Sequence, residues 1–172
     1  QVGMDMFELQ QERRIRTLRL LQCATNPAAI KEPDIEFQLE PFTSDNISLM
    51  RELENYSEVP KKMERAVTLA TQLVENEKNV VIWTVFRHNV EYLCKLFAKI
   101  NLDAIGITGA IPMKTNEEKE IVGRDELINI FKNNKGKILV ATIGSIAESV
   151  SLHRNFKGEP VCQNAIYLER SF

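Results

Sequence analysis

Apolar residues in the first part of the chain recur at helical spacing. Over Met4–Cys23 they lie among glutamines, arginines and glutamates, which predicts an amphipathic helix. Asn26 and Pro27 end it, because the residue before a proline is disfavoured in the helical region. Residues 31–60 hold three prolines among acidic and polar residues, which predicts a connector with a short helix near Ile47–Leu53.

Helical and strand-like patterns alternate from residue 61 onward. Lys61–Glu77 carries a helical apolar stripe, and further helices are predicted around Val90–Ile100 and Glu117–Asn133. Short apolar runs predict four strands: Val80–Trp83, Ala104–Ile107, Lys137–Ala141 and Ala165–Leu168. Alternation at this spacing predicts an α/β fold, with a parallel sheet covered by helices on both faces and preceded by an N-terminal helical segment.

Composition agrees with this organisation and leaves the partner open. The 172 residues are 44% hydrophobic and 27% charged, which suits one globular domain with an appendage. The formal charge of −2 provides no global basic field. A polyanion would therefore have to be held by local donors in a groove.

The cysteines and the hydropathy pattern bear on the compartment. Cys23, Cys94 and Cys162 lie far apart without a Cys-x-x-Cys pair, which argues against a zinc site or a disulfide framework. No apolar run approaches the ~18 residues of a membrane span, and the N-terminus lacks a signal-peptide pattern. We expect a soluble intracellular protein, cytoplasmic or, in a eukaryote, nuclear, with no membrane partner.

Each predicted strand ends in small, polar or charged residues suited to holding phosphate or charge. These ends are Thr84–His88, Thr108–Ala110, Thr142–Ser145 and Glu169–Ser171. The carboxyl ends of parallel strands lie on one edge of the sheet, where ligands of open α/β folds bind. The loop after Thr142, taken alone, fits an ordinary strand-to-helix connection equally well.

Two further patterns do not indicate sites. Gly136-Lys137 is followed by isoleucine and lacks a preceding glycine-rich loop, so it is not a P-loop. Asp125-Glu126 falls inside a predicted amphipathic helix, and we interpret it as a solvated helix face rather than a metal site.

Several segments match, in order, the motifs of one family. Val80–Phe86 is similar to motif IV, and Arg124, Ile128 and Phe131 repeat an Arg-x-x-x-Ile-x-x-Phe helix. Further matching segments are Leu18–Gln22 with Asn26-Pro27, Pro60–Met63, Thr108-Gly109, Ile138–Thr142 with Ala147–Leu152 (motif V), and Ala165–Phe172. The chain thus resembles the C-terminal RecA-like lobe of superfamily 2 helicases, within them the Snf2-like and RapA-like DNA translocases.

The resemblance implies an ATP-driven motor whose two RecA-like lobes close around ATP and Mg²⁺ while gripping a nucleic acid, with DNA favoured over RNA. Residues 1–60 would lead into the lobe and residues 61–172 would form it, truncated before motif VI, while the N-terminal lobe lies elsewhere. Backbone contacts are implied for Thr84, Arg87, Thr108, Gly109, Thr142 and Ser145, and an ATP-cleft position for Glu148, Ser149 and Arg170. Ser149 stands where motif V has glycine, and the loop before it is one residue longer than usual.

No catalytic residue or metal ligand is assigned, because a P-loop lysine, a Mg²⁺-holding carboxylate and a catalytic arginine are not recognisable in this sequence. We expect the chain alone to hydrolyse no ATP and to carry no bound cofactor. The alternative is a non-enzymatic, doubly wound α/β protein-interaction module, although a receiver-like domain would have acidic residues where Thr84 stands. A dinucleotide oxidoreductase needs a Gly-x-Gly-x-x-Gly after the first strand, and none follows Trp83.

Overall fold

A computed structural model of the chain describes residues 6–35, 37–116, 121–146 and 151–169. The chain divides into two compact units, Gln1–Pro60 and Lys61–Phe172. In chain order the elements are α1 (Met6–Thr25), a 3-10 helix (Pro27–Lys31), α2 (Ile47–Glu54), α3 (Lys61–Glu75), β1 (Asn79–Thr84), α4 (Arg87–Lys99), β2 (Ala104–Ile107), α5 (Arg124–Asn133), β3 (Ile138–Thr142), α6 (Ile143–Ile146) and β4 (Cys162–Tyr167).

The first unit is helical, as the periodicity predicts. Asn26 adopts extended backbone angles (φ −150°, ψ 92°), so the main chain turns from α1 into the 3-10 helix at the Asn-Pro pair. The buried Gln22 side chain connects α1 to the 3-10 helix. Its oxygen accepts a hydrogen bond from Arg19 Nη1 at 2.8 Å, and its nitrogen donates one to the Ala29 carbonyl at 3.0 Å. The short helix predicted near Ile47–Leu53 is present as α2.

The second unit contains a four-stranded, all-parallel sheet in the order β2-β3-β1-β4. This confirms the predicted α/β class. Alternate residues of the inner strands face opposite sides: Val80 and Ile82 pack with α3 and α4, whereas Val81 and Leu139 pack with α5. Because both faces are covered, the inner strands are apolar throughout, which made them recognisable as continuous runs.

The edge strand β4 begins three residues earlier than Ala165, where the sequence predicts it. Its positions alternate between more and less buried, starting at Cys162 and including the exposed Gln163. A strand that is half exposed alternates polar and apolar residues, so the apolar run marks only its second half.

The start of α5 also differs from the prediction. The helix begins at Arg124 rather than Glu117. Residues 117–120 lie outside the described part of the chain, and Asn116 and Ile121 form an antiparallel bridge. Gly123 approaches the preceding loop so closely that a Cβ atom would lie 2.3 Å from the Thr115 nitrogen. The charged residues before Gly123 favour a helix, but tertiary contact with this loop decides the start.

The cysteines are free: Cys23 is exposed, Cys94 is half-buried and Cys162 is buried. Burial, and secondarily the charge of Glu91, raises the pKa of the Cys94 thiol to about 11. In the described ranges, no helix has the length and apolar character needed to cross a membrane.

Candidate functional site at the carboxyl edge of the sheet

Polar residues line the carboxyl ends of all four strands. Following the strand order, these are Thr108 after β2, Thr142 of β3, Thr84 of β1 and Glu169 after β4. Thr84 and Thr142 are register partners at the middle of the sheet. The chain leaves β1 towards the face that holds α4, and leaves β3 towards the face that holds α5 and α6. The boundary between β1 and β3 is therefore a topological switch point, the usual place for a ligand crevice in open α/β sheets.

The Thr84 hydroxyl belongs to a buried network centred on Glu169. It lies 2.9 Å from Oε2 of Glu169, which also accepts the Val85 backbone N–H at 3.0 Å. The Asn89 side-chain amide donates to Oε1 of Glu169 at 2.7 Å and to the Thr84 hydroxyl at 3.2 Å. The network ties the end of β4 to the turn that begins α4.

Thr84 is fully buried, so in this conformation its hydroxyl positions the neighbouring turn and presents no surface to a phosphate. The sequence does not indicate Asn89 as part of the site, and it indicates Glu169 only as the first residue of a polar strand end, without a role. The available signal was an asparagine on the inward side of the helix after β1, one residue before Val90 of the apolar stripe. A buried amide or carboxylate needs hydrogen-bond partners, and a strand end supplies them.

A second cluster follows β3. The Ser145 hydroxyl bonds the Thr142 carbonyl at 2.7 Å and approaches the Ile107 carbonyl at 3.3 Å. The Ser145 carbonyl accepts from Arg124 Nη1 at 2.6 Å. Residues 143–146, which the sequence places in the loop after Thr142, form the short helix α6.

This second cluster contains unsatisfied polar atoms. The Thr142 hydroxyl is fully buried and has no hydrogen-bond partner among the described residues. Nε of Arg124 is likewise buried and unpaired within that part of the chain. A buried polar atom without a partner costs ~1–3 kcal/mol, and such atoms call for an explanation in a folded protein.

Two of the predicted contact residues are exposed. Arg87 is the first residue of α4, and its Nε lies 3.1 Å from the Glu91 carboxylate, with 48% and 44% of the two side chains exposed. An exposed ion pair of this kind contributes ~0–1 kcal/mol, so the guanidinium is readily available to another anion. Gly109 lies in the turn closed by the Ile111 N–H and the carbonyl of the largely buried Thr108.

Glu148, Ser149 and Arg170, which the sequence places towards an ATP cleft, lie outside the described residues. The described ranges contain no group of three His, Cys, Asp or Glu side chains that could hold a metal ion. The carboxylates of Asp125 and Glu126 instead accept hydrogen bonds from Thr115, Asp125 from its backbone N–H at 3.2 Å and Glu126 from its hydroxyl at 2.9 Å. They fasten the loop after β2 to the start of α5.

Comparison with known proteins finds likeness to solved structures but not to family models or curated proteins. No protein-family model matches the chain, and no curated protein matches it. Among solved structures, the chain is similar to the C-terminal part of the Fun30 ATPase domain, with a TM-score of 0.49 and 15% identity. The alignment covers 92% of this chain and 52% of that one, so this chain spans about half its length. At this level of similarity, the likeness says nothing about activity, ligand or partner.

Proposed function

We propose that this chain is the C-terminal lobe of an ATP-dependent DNA translocase of superfamily 2, and that its carboxyl sheet edge grips the nucleic-acid backbone. ATP and Mg²⁺ would bind between this lobe and an N-terminal RecA-like lobe outside the chain. The proposal rests on the motif order in the sequence and on the arrangement of polar groups at the switch point between β1 and β3.

The observation that carries the proposal is the exposed Arg87 at this edge, next to a row of three threonines. Arg87 is exposed beside the switch point, while the hydroxyls of Thr84, Thr108 and Thr142 lie beneath the surface. A guanidinium and backbone N–H groups can bind a phosphate without reading a base, which suits a protein that steps along any sequence.

The Thr142 hydroxyl, which has no hydrogen-bond partner within the described ranges, adds a coupling to the proposal. Because the side chain is fully buried, a phosphate could bond to it only after a shift of the residues that cover it, and α6 follows it directly in the chain. Gaining a partner for this hydroxyl would offset part of the cost of that shift. Backbone binding and the position of the segment after β3 would then be linked.

The direct test is DNA binding by the Arg87→Ala variant. Fluorescence anisotropy with several unrelated duplexes and single strands should show an equal loss of affinity for all of them. Loss of one phosphate contact should reduce the slope of log affinity against log salt by ≈ 1. Lys95→Ala is the matched control, since it removes one exposed positive charge from the same helix. An Arg87→Ala variant with wild-type affinity and salt slope would show that the nucleic-acid backbone does not bind at this edge.

The reading frame around the chain provides an independent check of the motor assignment. A P-loop and an Asp-Glu box upstream, with Gln-x-x-x-x-Arg-x-x-Arg downstream, are expected for a superfamily 2 motor. A complete reading frame without them contradicts the motor proposal and supports the protein-interaction module.

A further inference from the structure

A groove of about 400 Å³ lies at the amino edge of the sheet, at the opposite end from the threonine row. It is bounded by the carboxyl end of α5, by Asn79 at the start of β1 and by the loop 155–161 before β4. Its volume is within the range of ligand sites, which is roughly 300–1,000 Å³.

The floor of the groove is a fixed polar structure. The buried Asn79 amide donates to the carbonyls of Phe131 at 3.2 Å and Asn134 at 2.9 Å, and its oxygen accepts the Lys137 N–H at 2.9 Å. These bonds satisfy carbonyls at the end of α5. The partial negative charge that remains at the carboxyl end of α5 is at most about half a unit charge.

Three lysines outweigh this charge. Lys132, Lys135 and Lys157 line the groove, and none of them forms a salt bridge with a residue that the structure describes. Desolvation by burial lowers the pKa of Lys132. Glu159 is the acidic side chain of the lining, and its carboxylate accepts the Asn155 amide at 2.7 Å. The groove is therefore locally cationic on a chain whose formal charge is −2.

Phe156 stands at the rim of this cationic groove with 84% of its surface exposed. Lys132 Nζ lies over one face of its ring, 5.4 Å from the ring centroid. Since so much of the residue is exposed, the other face of the ring is open to solvent. Packing in the core therefore does not explain why an aromatic residue stands at this position.

The loop that carries Phe156 is ordered by its own hydrogen bonds. The Asn155 side-chain oxygen accepts the backbone N–H groups of Lys157 and Glu159, each at 3.0 Å. Arg154 Nη1 donates to the Gly158 carbonyl at 2.7 Å, and Gly158 has a φ of +80°, which favours glycine. The backbone that carries the ring is therefore held next to the lysines before any ligand binds.

We propose that this groove binds a short stretch of single-stranded nucleic acid, with phosphates on the lysines and one base stacked on the open face of Phe156. Sites that bind single strands without sequence preference combine a cationic groove with aromatic side chains on which bases stack. An acidic peptide would use the lysines but has no need of an open ring face. This site goes beyond the proposed function, whose DNA contact lies at the other edge of the sheet.

The test measures binding of fluorescein-labelled oligo(dT) and oligo(U) to the 172-residue chain by anisotropy. Phe156→Leu keeps an apolar side chain but removes the stacking surface, and should weaken binding about fivefold or more, the lower limit for loss of one stacked base. Phe156→Tyr should stay within about twofold. Each of Lys132→Gln, Lys135→Gln and Lys157→Gln should reduce the salt slope by ~0.7. Lys62→Gln, an exposed lysine of α3, is the matched control and should change neither quantity.

The outcomes distinguish the groove proposal from the proposed DNA contact at the carboxyl edge. Loss of binding with Phe156→Leu in an Arg87→Ala background supports the groove even if the translocase proposal fails. The groove proposal is overturned if no binding is measurable, or if wild type and Phe156→Leu bind equally well. The translocase proposal is then still decided by the Arg87→Ala result. A glutamate-rich peptide that displaces the oligonucleotide and binds Phe156→Leu as well as wild type would identify a protein ligand and also overturn it.

Discussion

The Glu169 carboxylate shows how one buried residue can fix the backbone at the end of a strand. It is 3% exposed and accepts hydrogen bonds from the Thr84 hydroxyl, the Val85 N–H and the Asn89 amide. These donors surround the turn from which Arg87 projects. A buried carboxylate is expensive unless it is well bonded, so the same contacts that stabilise Glu169 also fix that turn.

Glu169→Gln should destabilise the fold by ~1–3 kcal/mol. The substitution keeps the size of the side chain, but its amide group would point an N–H towards a donor and leave that donor unsatisfied. Urea unfolding of the purified variant measures the change in free energy. Glu91→Gln, the same substitution at a half-exposed carboxylate, should stay within about 0.5 kcal/mol. Equal stability of the two variants would show that the Glu169 network contributes nothing.

The sequence placed Thr84, Thr108 and Thr142 correctly at strand ends, because an apolar run followed by a polar residue marks where a buried strand stops. It did not indicate which atom each hydroxyl bonds. Thr84 bonds Glu169, 85 positions further along the chain, and only the fold brings the two together. The motifs therefore indicate positions at this edge, whereas only the fold determines which of those positions are buried.

At the scale of elements, burial on both faces determines what can be predicted. The expected bounds of β1, β2 and β3 agree with the structure to within one residue at each end, because these strands are apolar and bounded by polar residues. The pattern predicts the start of β4 too late, because this edge strand alternates in polarity. It predicts the start of α5 too early, because that start depends on a contact with a loop. A local sequence pattern therefore does not predict the end of an element when that end is set by contact with residues distant in the sequence.

Phe131 is the anchor of α5 on the sheet, and it supplies a prediction at this scale. It is fully buried among Val81, Leu139 and Ile128. Phe131→Ala should lower the free energy of unfolding by ~3–5 kcal/mol, through lost transfer energy and the cavity left behind. Phe156→Ala is the matched control, because the same side chain is removed from an exposed position and should cost less than about 0.5 kcal/mol. A denaturant midpoint for Phe131→Ala close to wild type would mean that α5 does not pack as described.

At the scale of the whole molecule, the second unit presents two different polar edges. Among the described residues, the carboxyl edge holds mostly buried hydroxyls and the exposed Arg87, whereas the amino edge holds three exposed or half-buried lysines beside an exposed ring. The sequence indicated the first edge, because its residues directly follow the strands. It gave no signal for the second, since Lys132, Asn79 and Phe156 come from separate segments that meet only in the folded sheet. If both proposals hold, nucleic acid contacts the lobe at opposite ends of its strands.

The last prediction concerns activity, and it separates a lobe from a complete motor. Phosphoryl transfer needs a P-loop lysine, a carboxylate that holds Mg²⁺ and an arginine for the developing charge, and the sequence contains no recognisable form of these. The purified 172-residue chain should therefore release no phosphate from ATP above the buffer blank, with or without DNA. A P-loop ATPase assayed in parallel confirms that the assay detects turnover, and repurification on a second column separates the chain from contaminants. DNA-stimulated hydrolysis that co-elutes with the chain and falls in the Arg87→Ala variant would mean that the catalytic groups lie within these residues, and that a second lobe is not required.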